Sequence, residues 1–269
     1  MYSSFLPHLL KRLDNLLPRL NHIVLGDWEQ DPAHRITYVN LDLIRPIFYA
    51  SNIQRFEAKI FEPWRISWNC PVPPKALSLW SLHIFRTNIS LNMLYQLLSA
   101  TPSLKSLHYE QEHKSRDYRL SHGANLLHYT NLDGLDRVLS NIAHTLEELR
   151  LSVRVDDNLT CNISPSFGPA ILGRKILKAM NRLRILKLPM LLLLSWPTDQ
   201  LTSLEDILPA SIEELILCDD LVARCPWEVG VITRPKMRLI GEYMEGRALI
   251  TPELRCLTIR VREEREEDW

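Results

Sequence analysis

The chain has 269 residues, of which 46% are hydrophobic and 24% charged, a composition typical of a folded globular protein. Lysine plus arginine number 32, as do aspartate plus glutamate, so no net charge attracts the chain to nucleic acid or to an anionic membrane, and we expect neither partner. The five cysteines are odd in number and form no C-x-x-C pair, which argues against disulfides and a zinc site. Free thiols favour a reducing compartment, the cytoplasm or the nucleus.

The N-terminal segment does not have the pattern of a signal peptide. Lys11, Arg12 and Asp14 interrupt its apolar stretch. The most hydrophobic run, residues 186–196, contains a lysine and a proline and is too short to span a bilayer. We therefore expect an intracellular protein without a membrane partner.

The first predicted element is an amphipathic helix over residues 4–17. Phe5 and several leucines share one broad apolar face of this helix. The helix leads through Pro18 into the first of a series of short apolar phrases. We expect it to cap the first end of the fold.

An apolar phrase, L-x-x-L-x-Φ with Φ any apolar residue, recurs eight times in degenerate form, and its first anchors are 25 to 42 residues apart. The three anchors of the eight phrases are Leu20/Ile23/Leu25, Ile53/Phe56/Ala58, Leu79/Leu82/Ile84, Leu104/Leu107/Tyr109, Leu146/Leu149/Leu151, Leu183/Leu186/Leu188, Ile212/Leu215/Leu217 and Leu254/Leu257/Ile259. The second and third anchors lie two residues apart and therefore point to one face of a short strand. Repeats of this length predict an α/β fold of the leucine-rich-repeat-like solenoid type, with a curved parallel sheet on the concave face and helices on the convex face.

Apolar stripes between the phrases predict helices. Ser90 is a candidate N-cap for a helix over residues 91–98, and similar stripes occupy residues 132–146 and 171–183. Residues 108–129 and 155–173 have no apolar periodicity, which indicates long loops. We expect one irregular domain over residues 1–260, followed by a solvated charged tail over residues 261–269. We also expect the protein to be a monomer.

Strand parity identifies the residues that would face away from the core. The expected protein-binding face contains these charged, polar and aromatic side chains: Arg55, Glu57, Lys59, His83, Phe85, His108, Glu110, Glu148, Arg150, Lys187, Glu214 and Arg260. Solenoids bind partners on such faces, although a merely solvated sheet face would show the same pattern.

The residue patterns of the common enzyme classes are absent. The sequence has no G-x-S-x-G, no P-loop and no G-x-G-x-x-G, so we expect no catalytic residues, no cofactor and no enzyme activity. The glutamate pairs at 147–148 and 213–214 are interpreted as solvent-facing residues beside strands. The alternative is a metal-dependent hydrolase whose metal is held by His113, His122 and His128, but their spacing matches no compact zinc site.

Several of the phrases resemble those of fungal F-box proteins with degenerate leucine-rich repeats. The resemblance is carried by the segments at residues 97–107, 145–153, 208–221 and 251–254 and covers roughly residues 77–259. It implies an interaction module similar to the substrate-recognition region of an F-box subunit in a cullin-type ubiquitin ligase.

The F-box of that family opens with an L-P-x-E-[IL]-like phrase and binds a Skp-type adaptor. Residues 6–10, Leu-Pro-His-Leu-Leu, begin similarly but lack the glutamate, and the first repeat is reached by Leu20. We therefore expect adaptor binding only if an F-box is encoded upstream. The alternative within this class is a stand-alone repeat scaffold or a drifted paralogue without a link to a ubiquitin ligase.

Overall fold

A computed structural model describes residues 19–26, 44–60, 74–87, 89–113, 132–155, 176–194, 203–218 and 229–260. These residues form an α/β protein built on one eight-stranded sheet. The strands are β1 His22–Leu25, β2 Arg55–Lys59, β3 Ser81–Thr87, β4 Ser106–His113, β5 Glu148–Val155, β6 Ile185–Pro189, β7 Glu214–Cys218 and β8 Cys256–Arg260.

Each of the eight apolar phrases produces one strand, as predicted. Every strand begins one residue before the second anchor of its phrase. The sheet order is β1 to β8 in chain order, and all seven neighbouring pairs are parallel. The anchors align across the sheet, so that Phe56 pairs with Leu82, and Leu82 pairs with Leu107.

The apolar core lies on one side of this sheet. The second and third anchors of β2 to β7 are buried there, with exposures from 0% for Leu107 and Leu149 to 5% for Tyr109. Those of β1 and β8 are only partly buried because they form the two edges of the sheet. Full burial of one leucine side chain stabilises the fold by about 1.5–3 kcal/mol, so the repeated anchors dominate its stability.

Helices occupy most of the connections between strands. They are a 3₁₀ helix Arg45–Tyr49 and α-helices α1 Leu91–Ser99, α2 Leu132–Leu139, α3 Ile176–Ala179, α4 Met190–Leu194, α5 Leu204–Ile207 and α6 Val229–Ile250. Buried residues of these helices and the strand anchors form one core cluster. No described helix has the length and apolarity needed to cross a membrane.

The predicted helix after Ser90 is confirmed. The Ser90 hydroxyl accepts a hydrogen bond from the Met93 backbone N–H at 3.3 Å, which satisfies one of the free donors of the first turn. Leu94, Leu97 and Leu98 are buried, as the apolar stripe indicated.

The helix predicted over residues 132–146 is shorter, because α2 ends at Leu139 and turns follow. Ser140 Oγ donates to the Arg137 carbonyl at 2.6 Å, and Asn141 Nδ2 donates to the Val138 carbonyl at 3.2 Å. These side chains satisfy carbonyls at the helix end, which favours termination. Ile142 is nevertheless buried, as predicted.

Other predicted boundaries need correction or lie outside the described residues. Residues 108–113, assigned to a loop, continue β4, and residue 155 ends β5. Of the helix predicted at 171–183, the structure describes the single-turn α3 and the turn after it. The N-terminal helix at 4–17 and the tail at 261–269 are outside the described residues.

The 22-residue helix α6 was not predicted from the sequence. Pro235, Gly241 and Gly246 interrupt its helical pattern, and these residue types normally indicate a turn or a helix end. Ile240 and Tyr243 are buried, and the Tyr243 hydroxyl hydrogen-bonds to Thr251 Oγ1 at 2.5 Å just before β8. Tertiary packing therefore outweighs the weak helical propensity of this segment.

Candidate binding face

The outer face of the sheet, the side opposite the apolar core, displays its residues in rows across the strands. Because the strands are parallel and in register, each repeat position lies beside its equivalent in the next strand. The first row contains His22, Arg55, Ser81, Ser106, Glu148, Ile185, Glu214 and Cys256. The second row, two residues later, contains Val24, Glu57, His83, His108, Arg150, Lys187, Ile216 and Thr258. Third-row positions include Lys59, Phe85, Glu110 and Arg260.

All twelve residues assigned to this face by strand parity lie in these three rows. They are not equally exposed. The side chain of Lys59 was expected to face outward, but the residue is only 8% exposed, so it offers little surface to a partner. Phe85 is half-buried beside a register shift between Ile84 and Thr87, where Arg86 has a φ of 48°.

Glu57 is the centre of a polar cluster on β1 to β3. Its Oε1 atom lies 3.0 Å from His22 Nε2 and 3.6 Å from Arg55 Nη2, and its Oε2 atom lies 3.6 Å from His83 Nδ1. The Glu57 side chain is 25% exposed, so water screens these contacts only in part. Sequence parity identified Glu57, Arg55 and His83, whereas His22 was missed because parity was not extended to β1.

Glu148 is the centre of a second cluster, on β4 and β5. Ser106 Oγ donates to Oε2 at 2.7 Å, Arg150 Nε donates to Oε1 at 2.5 Å, and His108 Nε2 lies 3.2 Å from Oε1. The His108 contact is close but poorly aligned for a hydrogen bond, so we treat it as electrostatic.

These neighbours lower the pKa of Glu148. The His108 imidazole is the largest cause, and with the Ser106 hydroxyl and the Arg150 guanidinium it lowers the pKa from 4.5 to about 2 against the opposing effect of burial. Glu148 was interpreted from sequence as a solvent-facing residue beside a strand. The structure places Glu148 on the outer face, as parity predicted, and adds that its carboxylate is held by three side chains from two strands.

A histidine pair joins the two clusters. The rings of His83 and His108 meet edge to face with centroids 5.0 Å apart, and the ring centroid of Phe85, two residues further along β3, lies 5.3 Å from that of His83. Burial, and then the charge of His108, lower the pKa of His83 below its usual value of 6.5, although Glu57 and Glu110 oppose the shift. The network therefore crosses five strands, from His22 on β1 to Arg150 on β5.

Two predicted face residues, Lys187 and Glu214, stand apart from this network. Neither side chain has a hydrogen bond or ion pair with any other described residue. Both are half-buried on neighbouring strands β6 and β7. Arg260 is exposed at the end of the edge strand β8.

A charged row that the sequence analysis missed lies just before the strands. Its members at the last five strands are Lys105, Glu147, Arg184, Glu213 and Arg255. Each occupies the position directly after the first anchor of its repeat, so a comparison of that single position across the repeats would have shown the alternating charges. Backbone hydrogen bonds hold the row in register, since the carbonyl of each residue except the last, Arg255, accepts from two successive N–H groups of the next repeat.

The outer face is open along the N-terminal edge of β3 to β8, whereas on β7 it is covered toward the C-terminal end. A groove of 410 Å³ follows the open edge from Trp80 to Arg255. At the other end Ile216 is 2% exposed and Cys218 4%, although both point to the outer side by parity. A partner therefore reaches the first row and the charged row before it more easily than the third row.

The residues described offer no arrangement for metal chemistry. No group of three His, Cys, Asp or Glu side chains among them could hold a metal ion. The three histidines of the hydrolase alternative are not tested by this, because the His113 side chain, His122 and His128 lie outside the residues described. No protein-family model matches the chain, and searches of curated proteins and of solved structures also found no match.

Proposed function

We propose that the chain is a leucine-rich-repeat-like solenoid that binds a protein partner on its outer face and has no enzymatic activity. The observation that carries this proposal is the set of in-register rows, which present a continuous, largely polar surface across eight parallel strands. Each repeat contributes one strand, and neighbours in the sheet are neighbours in the chain. This is the arrangement in which solenoids create extended binding surfaces.

Elementary packing dimensions support a concave outer face. Neighbouring strands are about 4.8 Å apart, whereas packed helices need about 8–10 Å between their axes. Helical connections on one side therefore spread the repeats there, and the sheet bends away from them. The short helices α3 and α5, with four residues each, limit this effect near β6 and β7.

The distribution of charge on the face suggests where a partner contributes most binding energy. The carboxylates of Glu57 and Glu148 are already held by neighbours, so they form a rigid surface that costs little to order on binding. Lys187 and Glu214 lack such contacts among the described residues, so a partner of opposite charges satisfies both. Ile185 is half-buried, lies beside Glu214 in the first row and precedes Lys187 by two residues on β6. It therefore adds an apolar contact close to both charged side chains.

The test compares two charge swaps that each conserve the net charge. The face variant combines Lys187→Glu with Glu214→Lys, and the control combines Arg238→Glu with Glu242→Arg on the exposed surface of α6, where the two side chains pair at 2.8 Å. Both variants should keep the circular-dichroism spectrum and melting temperature of the wild type. Quantitative affinity purification should then recover the same protein with the wild type and with the control. The amount recovered with the face variant should be lower by about tenfold or more. The proposal is overturned when no captured protein depends selectively on the face.

We further propose, from the resemblance to fungal F-box proteins, that the bound partner is a substrate of a cullin-type ubiquitin ligase. Adaptor binding would require an F-box encoded upstream, and the protein would act as a monomer in the cytoplasm or nucleus. Co-purification of a Skp-type adaptor and a cullin with the full gene product tests this link. Recovery of the face-dependent partner without either would favour the stand-alone scaffold.

A further inference from the structure

The groove along the open edge is lined by equivalent positions of successive repeats. It extends from β3 to β8, and its lining consists of the row of residues preceding the strands and the first row of the outer face. The signs of the charges along its rim alternate from β4 to β8.

The cations of this rim are more accessible than its carboxylates. The side chains of Lys105, Arg184 and Arg255 are 54%, 57% and 73% exposed, against 37% for Glu147 and 23% for Glu213. An approaching partner therefore meets positive charge first, although the row as a whole is almost neutral.

The carboxylates of the rim are also largely satisfied, whereas the cations keep donors to spare. Lys105 Nζ lies 2.9 Å from Glu147 Oε1, and Arg184 donates to both oxygens of Glu213 at 2.5 and 2.9 Å. Arg255 reaches the same carboxylate at 3.9 Å. A guanidinium carries five N–H donors and an ammonium three, so these contacts leave donors for the carboxylates of a partner.

The spacing of the cations selects a backbone conformation. They occur before every second strand, β4, β6 and β8, at intervals of about 9.6 Å if neighbouring strands are about 4.8 Å apart. A polyproline II helix advances about 9.3 Å in three residues and returns to the same side, whereas an extended strand returns after about 6.7 Å. Polyproline II therefore matches the cation spacing and an extended strand does not.

Two further groups in the groove are consistent with such a segment. Trp80, 38% exposed at the β3 end, presents a ring surface of the kind that packs against prolines, and the Arg55 guanidinium lies 6.0 Å from its ring centre. Glu148 and Glu214 line the deeper first row and repel acidic side chains from it. This repulsion keeps a negatively charged segment on the cation rim.

We propose that this groove binds an acidic polyproline II segment of a partner protein, with aspartate or glutamate at every third residue above Lys105, Arg184 and Arg255. The proposal rests on the protein-binding function proposed above and specifies the chemistry of the partner. Each carboxylate of the segment accepts hydrogen bonds from one cation of the rim. The uncharged residues between these carboxylates pass over Glu147 and Glu213, so no charged group of the segment contacts those two residues. The segment runs across the strands along their N-terminal edge.

The probe is a fluorescently labelled peptide of three Glu-Pro-Pro repeats, measured by anisotropy against the full chain at low salt. Two control peptides carry the same label: three Lys-Pro-Pro repeats, and a block peptide of three glutamates followed by six prolines, which has the same composition and charge. The groove variant is Lys105→Gln/Arg184→Gln/Arg255→Gln. Its matched control, Lys75→Gln/Arg238→Gln/Arg247→Gln, removes the same number of exposed cations outside the groove.

The Glu-Pro-Pro peptide should bind the wild type and the matched control equally, and the groove variant about tenfold or more weakly. The Lys-Pro-Pro peptide should show no binding, and the block peptide should bind several-fold more weakly. Absence of binding up to about 1 mM peptide, or equal binding by the two triple variants, overturns the acidic-segment proposal. Equal binding of the block peptide overturns the spacing.

The charge-swap purification distinguishes failure of the acidic-segment proposal from failure of the proposed protein-binding function. A face-dependent partner recovered in that experiment, together with negative peptide measurements, retains the binding function and rejects the acidic segment. Absence of a face-dependent partner rejects the function itself, whatever the peptides do.

Discussion

Replacing Glu148 with glutamine should destabilise the protein in a pH-dependent manner. The three neighbours of the carboxylate lower its pKa from 4.5 to about 2, and each pKa unit corresponds to about 1.4 kcal/mol, which sets an upper limit of about 3.4 kcal/mol. About a fifth of the side chain is exposed, at 21%, and solvent screening reduces the expected loss at pH 7 to about 1–2 kcal/mol.

The sign of the pH dependence follows from the lowered pKa. The ionised carboxylate contributes its full stabilisation above pH 4.5, the ordinary value, and this contribution is lost as the pH falls through the folded-state pKa of about 2. The difference between the wild type and Glu148→Gln should therefore be largest at pH 7 and shrink by more than half near pH 3, roughly as linkage requires.

Urea unfolding followed by circular dichroism at pH 7 and at pH 3 measures both quantities. Glu214→Gln is the matched control, because this carboxylate lies in the same row without a hydrogen bond or ion pair to another described residue, and its loss should change stability by less than about 0.5 kcal/mol. Equal losses for the two variants, or a loss for Glu148→Gln that stays constant between the two pH values, would refute the structural assignment.

Three further changes test the histidine pair, the core and a helix cap. In an imidazole NMR titration His83 should show a pKa below 6.5, so that its protonation costs stability as the pH falls below that value, and His108→Gln should raise this pKa by removing the neighbouring charge. Leu149→Ala should cost about 2–5 kcal/mol in urea unfolding because the side chain is fully buried, whereas Val24→Ala, at a site 55% exposed, should cost less than about 0.5 kcal/mol. Ser90→Ala should cost about 1 kcal/mol by removing the N-cap of α1, and an unchanged denaturation midpoint would contradict that role.

The sheet and its register were predictable from the sequence because one residue pattern serves both local and tertiary structure. The two-residue spacing of Leu107 and Tyr109 specifies a strand face, and the repetition of that spacing specifies which strands are neighbours. A shift of one residue would expose every anchor, so register follows from burial. The same parity placed the twelve predicted side chains on the outer face.

The contacts within that face were not predictable in the same way. Parity places Glu148 and Glu214 in one row, yet only Glu148 is held by neighbours, since the identities of the adjacent residues differ from repeat to repeat. Parity also cannot show that Lys59 is buried, because burial depends on what lies over the end of its strand. The helix α6 was missed for a related reason: its proline and glycines are local signals that tertiary packing overrides.

The alternating charges before β4 to β8 have a physical explanation that also bears on binding. In a parallel sheet with in-register repeats, one sequence position is stacked about every 4.8 Å, so like charges there would repel one another. Alternation of sign removes this repulsion, and Glu213 accordingly lies between Arg184 and Arg255. Alternation alone would give a surface without preference for either charge. The preference arises from side-chain length and exposure, since the long basic side chains extend beyond the carboxylates that hold them. Exchanging the signs along the row, Glu for each cation and Arg for each carboxylate, would keep the alternation and the stability and should not reverse the preference. The Lys-Pro-Pro peptide should bind the shorter carboxylates at most weakly, and the Glu-Pro-Pro peptide should bind at the two new arginines with one fewer contact. Stronger anisotropy binding of Lys-Pro-Pro than of Glu-Pro-Pro would refute the argument from side-chain length.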